Sequence, residues 1–272
     1  MTPDQRLEIA VDIAHEAGRM IVKARERQSF GHRYKHGHEL VTDTDIEVDT
    51  RIGERLEQHF AGEARLSEEL APDRQVLASP QALWVVDPID GTVNFAHGLR
   101  HVAVSIGWAH QGRTRLGVVH APFLGETFTA LEGCGAWCNG QAIQASPNSD
   151  MAHALVGTGF PYRREDRPPL IRRLTAILSH CQDVRRNGSA ALDLCDVACG
   201  RLDAYYESVS PWDCAAGWLI AREAGARTGH LYPPPAGIPE DLCGEHLLVT
   251  CSELHAGLAD LLRRADAGEI ER

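Results

Sequence analysis

No long uninterrupted apolar run occurs in the 272 residues, so the sequence predicts no membrane-spanning helix. The opening residues Met1-Thr2-Pro3-Asp4-Gln5 lack the basic and apolar regions of a secretory signal, which points to a cytoplasmic chain. Positive charge is in deficit: 27 Lys and Arg stand against 38 Asp and Glu, a formal net charge of −11. Nucleic-acid and anionic-membrane binding both want basic patches, so neither is expected. An anionic small substrate stays open, because bound cations invert the local potential. A zinc-site spacing of cysteines is also missing. Cys134 and Cys138 resemble half of a zinc site, but no partner pair follows at suitable spacing and Gly-rich turn sequence surrounds them. With eight cysteines in a large chain that shows no export signal, reduced thiols are expected rather than a disulfide framework. The histidines are scattered, and His36 and His38 read as part of a solvated loop. There is no internal repeat, low-complexity tract or flexible linker.

What is present is ordinary globular composition, 43% hydrophobic and 24% charged, in a length that suits one large domain or two intimately packed halves. Apolar residues at helical spacing (Ile13, Ala17, Met20, Ile21, Ala24) predict a helix from about Pro3 to Arg27. Gly31 to Glu39 reads as a loop. Thr42 and Asp45 form a capping arrangement at the start of a second helix, which carries Ile52 and Leu56 on one face. Strand-like runs at 102–108, 116–120 and 127–131, joined by Gly-containing turns, predict an antiparallel meander closed by Asn139-Gly140. Beyond about Asn148 the pattern alternates. Strands are expected at 154–157 and 202–207, and helices at 164–180, from Gly188 through Ala198, at 213–224 and at 252–264, with an exposed loop at Pro233-Pro234-Pro235. The expected class is therefore α+β passing into α/β, with layered sheets and helices. It divides into an N-terminal half (1–148) and a C-terminal half (149–272) around one cleft.

The segment Leu83-Trp84-Val85-Val86-Asp87-Pro88-Ile89-Asp90-Gly91-Thr92 carries the most chemistry. An apolar run ends in two carboxylates, Pro88 stiffens the backbone between them, and Gly91-Thr92 follow. This order suits a buried strand whose end presents Asp87 and Asp90 to one divalent cation, with the N–H groups of Gly91 and Thr92 facing a phosphate. Hard cations such as Mg²⁺ take oxygen ligands and are shared with substrate phosphates. Asp-Gly is also a common turn dipeptide, but two carboxylates at the end of a buried strand repel each other unless a cation neutralises them.

Other acids are ambiguous one at a time. Glu68 and Glu69 read as a solvated loop, Asp45 as a helix N-terminal acid favoured by the dipole, Asp213 as an N-cap, and Glu207 as a strand-end charge. Taken together they form a pattern. Leu40-Val41-Thr42 with Asp45, the Glu68-Glu69 pair, Asp87-Pro88-Ile89-Asp90-Gly91-Thr92 with Asn94-Phe95, Gly188-Ser189-Ala190-Ala191-Leu192-Asp193-Leu194, Tyr205-Tyr206-Glu207, Trp212-Asp213 with Ala215-Ala216-Gly217, and Glu223-Ala224-Gly225 occur in order along nearly the whole chain. In these elements the sequence resembles the inositol monophosphatase family of Mg²⁺-dependent, lithium-sensitive phosphatases.

The resemblance implies the layered αβαβα sandwich of the inositol monophosphatase and fructose-bisphosphatase type, a homodimer, and roughly two to three Mg²⁺ ions per site. It implies that Glu68, Asp87 and the carbonyl of Ile89 hold a first ion. Asp87, Asp90 and Asp213 would hold a second, and Glu68 would share a third, weaker one. Asp45 and Thr92 match the pair that orients and deprotonates the attacking water, with Glu68 assisting. Gly91 and Thr92 would donate N–H groups to the phosphate, beside Asp90 and Asp213. Gly188, Ser189, Ala190 and Glu207 match positions that contact a hydroxylated ring, and Lys35 matches a lysine near the site. The implied activity is hydrolysis of inositol 1-phosphate or related small polyol or sugar monophosphates. Alternatives within the superfamily are histidinol phosphate, 3′-phosphoadenosine 5′-phosphate and fructose 1,6-bisphosphate. A regulatory member that binds the transcription machinery is a further one. Two departures stand out: Ser67 occupies the position before the Glu pair where Gly is usual, and Ala226 follows Gly225 where a second Gly is usual.

Overall fold

A computed structural model describes residues 1–27, 31–35, 39–161 and 167–270. Helix α1 (Pro3–Arg27) buries Ala10, Ile13, Ala14, Ala17 and Ile21 along one face. A two-stranded ribbon, β1 (His32–Lys35) and β2 (Glu39–Thr42), leads into α2 (Asp43–His59). The loop expected across 31–39 therefore contains a strand, with His32 paired to Thr42 and Lys35 to Glu39. This ribbon stands apart from both large sheets, so its sequence has no buried face to show as an alternation of apolar and polar residues. His36 and His38 lie outside the described residues, and so does the side chain of Lys35.

Next come β3 (Ala64–Ser67), β4 (Leu83–Asp90), the short helix α3 (Thr92–His97), and the meander β5 (Ala103–His110), β6 (Arg113–Ala121), β7 (Glu126–Leu131), β8 (Ala136–Cys138) and β9 (Gln141–Ala142). They form one seven-stranded sheet in the order β3-β4-β5-β6-β7-β8-β9, antiparallel except for the β3–β4 pair. The meander has the turns its sequence implies, with Gln111 and Gly112, and again Asn139 and Gly140, at positive φ.

The remainder supplies β10 (Leu155–Thr158), α4 (Arg167–His180), β11 (Asp183–Arg185), α5 (Ala190–Ala198), β12 (Ala204–Glu207), α6 (Pro211–Glu223), β13 (Arg227–His230), β14 (Leu247–Thr250) and α7 (His255–Ala267). A five-stranded sheet runs β11-β10-β12-β14-β13. Its first three strands are parallel and the β12–β14 and β14–β13 pairs antiparallel.

The cores show the layering. Ile13, Ile21, Val48 and Ile52 from α1 and α2 pack on Trp84, Val104 and Ile106 of the large sheet. Leu194, Trp218 and Leu219 from α5 and α6 lie between Val119 and Phe128 of that sheet and Tyr205 and Val249 of the smaller one. Ala176, Leu258 and Leu262 from α4 and α7 cover the outer face of the smaller sheet. The result is the αβαβα sandwich. Among the described residues no helix is long and apolar enough to cross a membrane.

Candidate metal centre and substrate cavity

In a regular strand, residues three apart point to opposite faces. Asp87 and Asp90 should therefore diverge, yet they serve the same site. The pairing explains it: Asp87 lies opposite Ser105 and Asp90 opposite Ala103, so three steps on β4 match two on β5. The extra residue is a bulge at Pro88-Ile89, which re-aims the following side chain. Proline is suited to it, having no N–H to lose from the ladder. All eight residues of β4 are buried.

The third carboxylate comes from α6. Ser105 Oγ donates to the Trp212 carbonyl at 3.0 Å, tying the start of this helix to β5. Ser210, not Asp213, is the N-cap, and Pro211 opens the helix. Asp213 sits in the first turn, where its Oδ2 accepts the Ser210 N–H at 2.7 Å. One oxygen from each of Asp87, Asp90 and Asp213 lies within 4.8 Å of the others. Asp90 is gripped from the smaller-sheet side: its Oδ2 accepts Ser189 Oγ at 2.6 Å and the Ala191 N–H at 2.7 Å. Helix α5 thus starts at Ala190 with Ser189 as its cap, slightly later than Gly188.

Gly91 joins β4 to α3 at φ 95°. A Cβ there would stand 2.9 Å from the His101 carbonyl and 3.2 Å from that of Gly188, so only glycine fits. Thr92 follows with its hydroxyl 3.0 Å from Asp45 Oδ1 and 3.1 Å from the Ile89 carbonyl. Asp45 Oδ2 meanwhile accepts the Thr42 N–H at 2.8 Å and its hydroxyl at 2.5 Å, completing the capping arrangement at the start of α2.

These groups open onto a cavity of about 520 Å³. Glu68, Asp87, Ile89, Asp90, Gly91, Thr92 and Asp213 lie along it, as do Gly188, Ser189, Ala190 and Glu207. Asp45 is fully buried behind Thr92. Burial raises the carboxyl pKa of Asp45 above its ordinary value against the opposing hydrogen bonds from Thr42 and Thr92. Asp87 is pushed well above the usual carboxylate range, first by burial and then by the charges of Glu68, Asp90 and Asp213. Asp90 is raised to about 7 by burial and by Asp213. Glu207, which accepts the Tyr205 hydroxyl, is raised to about 8, again mainly by burial. Buried, mutually repelling oxygens of this kind fit a hard divalent cation, which removes the repulsion that raises these pKa values.

A model of the inositol monophosphatase family matches residues 2–267. The chain belongs to the inositol monophosphatase family. It is 37% identical over 227 residues to the Nus factor SuhB of Vibrio cholerae, covering 81% of this chain and 83% of that one. It is 34% identical over 276 residues to inositol monophosphatase 2 of Solanum lycopersicum, covering 97% and 100%. The solved extragenic suppressor protein suhB of Bartonella henselae superposes with a TM-score of 0.86 at 28% identity, covering 96% of this chain and 99% of that one.

Along this cavity, several residues escaped the sequence reading. Arg74 and Arg186 also line the cavity, together with Asp193. Asp193 Oδ1 accepts Asn187 Nδ2 at 2.7 Å and lies 3.6 Å from His101 Nε2. Asn94 Nδ2 bridges the carbonyls of His101 and Asn187, at 2.7 and 2.8 Å. Oxygens of Asp193 and Asp196 and a ring nitrogen of His101 form a second close group. Asp196 is engaged by Arg201 at 3.1 Å, so this group reads as an ion-pair link between Asn94–His101 and α5. The signal for Asp193 and Asn94 was at hand, since both fall inside the quoted motifs. The signal for Arg74 and Arg186 was not, because Arg74 opens a single short 3-10 turn and Arg186 lies in a loop, and neither carries a period.

Proposed function

We propose that this chain is a Mg²⁺-dependent phosphomonoesterase of inositol 1-phosphate or related small polyol and sugar monophosphates. The observation that carries the reading is the meeting of Asp87, Asp90 and Asp213 at a cavity whose other wall is Gly188–Ala190 and Glu207. In this reading Glu68, Asp87 and the Ile89 carbonyl hold one ion, Asp87, Asp90 and Asp213 a second, and Glu68 shares a weaker third. Cations held there supply the positive charge that opposes the developing charge on the phosphoryl and leaving oxygens. The chain's own groups do the rest. Gly91 and Thr92, at the start of α3, offer N–H groups without intrahelical partners to a phosphate oxygen. A water hydrogen-bonded to Thr92 Oγ attacks phosphorus in line. Its proton passes to Thr92 as the hydroxyl proton passes to Asp45, whose buried carboxyl accepts protons more readily than an exposed one. The P–O ester bond breaks, and the leaving alkoxide takes a proton from solvent. Glu207 and the backbone at Gly188–Ala190 hold vicinal hydroxyls of the polyol. The halves 1–148 and 149–272 form one catalytic unit, in a cytoplasmic homodimer.

The test is a panel of polyol, sugar, histidinol and nucleotide phosphates with Mg²⁺. Wild type should release phosphate from the inositol phosphates, and Asp90→Asn should abolish it. Strong preference for a nucleotide 3′-phosphate would move the substrate elsewhere in the superfamily. Lithium should inhibit by displacing the weakly held ion; turnover unchanged in lithium counts against that ion. The likeness to the Nus factor SuhB of Vibrio cholerae keeps a second reading in view, a regulatory protein-binding module. It gains if wild type releases no phosphate from any of these esters, or if Asp90→Asn keeps full partner binding.

A further inference from the structure

Glu68 sits on a short turn between β3 and the residues leading to β4, a place where an acid would ordinarily be free to swing. Here it is not. The Glu68 N–H donates to the Val86 carbonyl of β4 at 3.3 Å. Beneath the turn lies Asp49 of α2, with no solvent exposure. Its Oδ2 accepts three hydrogen bonds from the turn: Ser67 Oγ at 2.9 Å, the Glu69 N–H at 3.2 Å and the Leu70 N–H at 2.8 Å. Ser67 Oγ also accepts the Ala71 N–H at 3.2 Å, and the Ser67 N–H donates to the Ala71 carbonyl at 2.9 Å. Asp49 is neutralised from the far side by Arg65, whose Nη1 lies 3.2 Å from Oδ1. Gly53, one turn along α2, leaves room for that guanidinium, since a Cβ there would stand 2.0 Å from Nη1.

We infer that Asp49 and Ser67 are positioning residues that hold the Glu68 turn against β4 and so set how tightly the cation shared by Glu68 is bound. The inference rests on the reading of Glu68 as a metal ligand. A ligand's affinity depends on how much freedom it loses on binding, and partners that fix a ligand in advance raise affinity by roughly ten- to a hundredfold. A turn held by three hydrogen bonds to one buried carboxylate and a fourth to Ser67 Oγ has little freedom left to lose. The Ser67 side chain contributes through its hydroxyl, so removing that atom tests the idea with the smallest disturbance.

The experiment titrates the full chain with Mn²⁺, which shares the octahedral oxygen preference of Mg²⁺, and follows bound ion by electron paramagnetic resonance. Wild type, Glu68→Gln, Ser67→Ala, Ser67→Gly and Asp49→Asn are compared, with thermal unfolding recorded in chelator. Glu68→Gln should abolish the weakest class of sites. Ser67→Ala and Ser67→Gly should weaken that class about tenfold and loosen the first ion, which Glu68 also holds, while leaving the ion of Asp87, Asp90 and Asp213 unchanged, and Asp49→Asn should do the same or more. A purely structural role lowers the unfolding temperature in chelator and leaves the Mn²⁺ titration alone. If the Ser67 variants titrate like wild type while Glu68→Gln loses its class, the inference is overturned and the ligand reading survives. If Glu68→Gln itself titrates like wild type, the ligand reading has failed and the inference falls with it.

Discussion

The four aspartates of the site are each tied into the fold through a carboxylate oxygen. Asp45 gives Oδ2 to the cap of α2 and Oδ1 to Thr92. Asp87 gives Oδ1 to the Ile89 N–H, Asp90 gives Oδ2 to Ser189 and Ala191, and Asp213 gives Oδ2 to the Ser210 N–H. Asp45 is thus the helix-start acid that the sequence suggests, while Asp213 stands in the first turn behind the Ser210 cap; each ties a helix start to the site. Sequence alone leaves helix start and site looking like rivals, because it says which residue is present and not how its atoms are shared. The pairing of Thr92 with Asp45 gives a sharp test. Replacing Thr92 with Val keeps the shape and removes the hydroxyl that receives the water's proton. On the proposed reading kcat should fall by about 10²-fold or more, with KM little changed. Asp45→Asn should cost a similar factor, and the double variant should cost no more than the worse single one, because the two act as one unit. Steady-state kinetics at saturating Mg²⁺ decide it, and full turnover by Thr92→Val would remove this pair from the reaction.

At the scale of elements, the site exists because α6 lies unusually near the large sheet. Gly107 and Gly117 on β5 and β6 face Ala215 and Ala216, and a Cβ on Gly117 would stand 2.6 Å from the Ala216 carbonyl. Gly117→Ala must push α6 outward, and with it Asp213 at the helix start. Overpacking of this kind costs about 1–3 kcal/mol. Urea unfolding should show that loss, and metal titration should show weaker binding from the displaced carboxylate; unchanged stability would mean the helix has slack the geometry does not show. The small residues Ala215-Ala216-Gly217 and the first three strands of the meander, β5 to β7, were legible in the sequence, and so were the helices α1, α2 and α6. The bulge in β4 was not, although Pro88 marks it, because a bulge is a relation between two strands and is defined only once β5 is in place. Strands β3, β11, β13 and β14 went unread for a related reason. They are three or four residues long, too short for a period to stand out, and β14 is buried throughout, so it has no polar face to alternate with.

On the scale of the whole molecule, the cavity sits where β4 and α3 meet α5, α6 and β12, and its acids make the metal-free protein work against itself. Folding raises the pKa of Asp45, Asp87, Asp90 and Glu207 above the ordinary carboxylate values. Such groups hold protons in the folded chain that the unfolded chain has already released, so stability falls as pH rises. The window opens near the ordinary value of 3.8 for Asp and extends to about 7 for Asp90 and about 8 for Glu207. Below the window every group is protonated in both states and the penalty vanishes; above it the folded chain carries the full repulsion. The net charge of −11 adds to the repulsion. A bound divalent cation reverses the balance, because it binds only the folded, deprotonated cluster and stabilises by mass action. In chelator, the unfolding temperature should therefore be higher near about pH 5 than near about pH 8. Millimolar Mg²⁺ should raise it at both, and more at the higher pH, where no proton competes for the oxygens. Differential scanning calorimetry across that range, with Mg²⁺ and with chelator, gives four values. A Mg²⁺ increment that is the same at both pH values would mean that the ion does not bind where these carboxylates converge; in chelator, Asp87→Asn, which removes a shared charge from the centre of the cluster, should flatten the pH dependence.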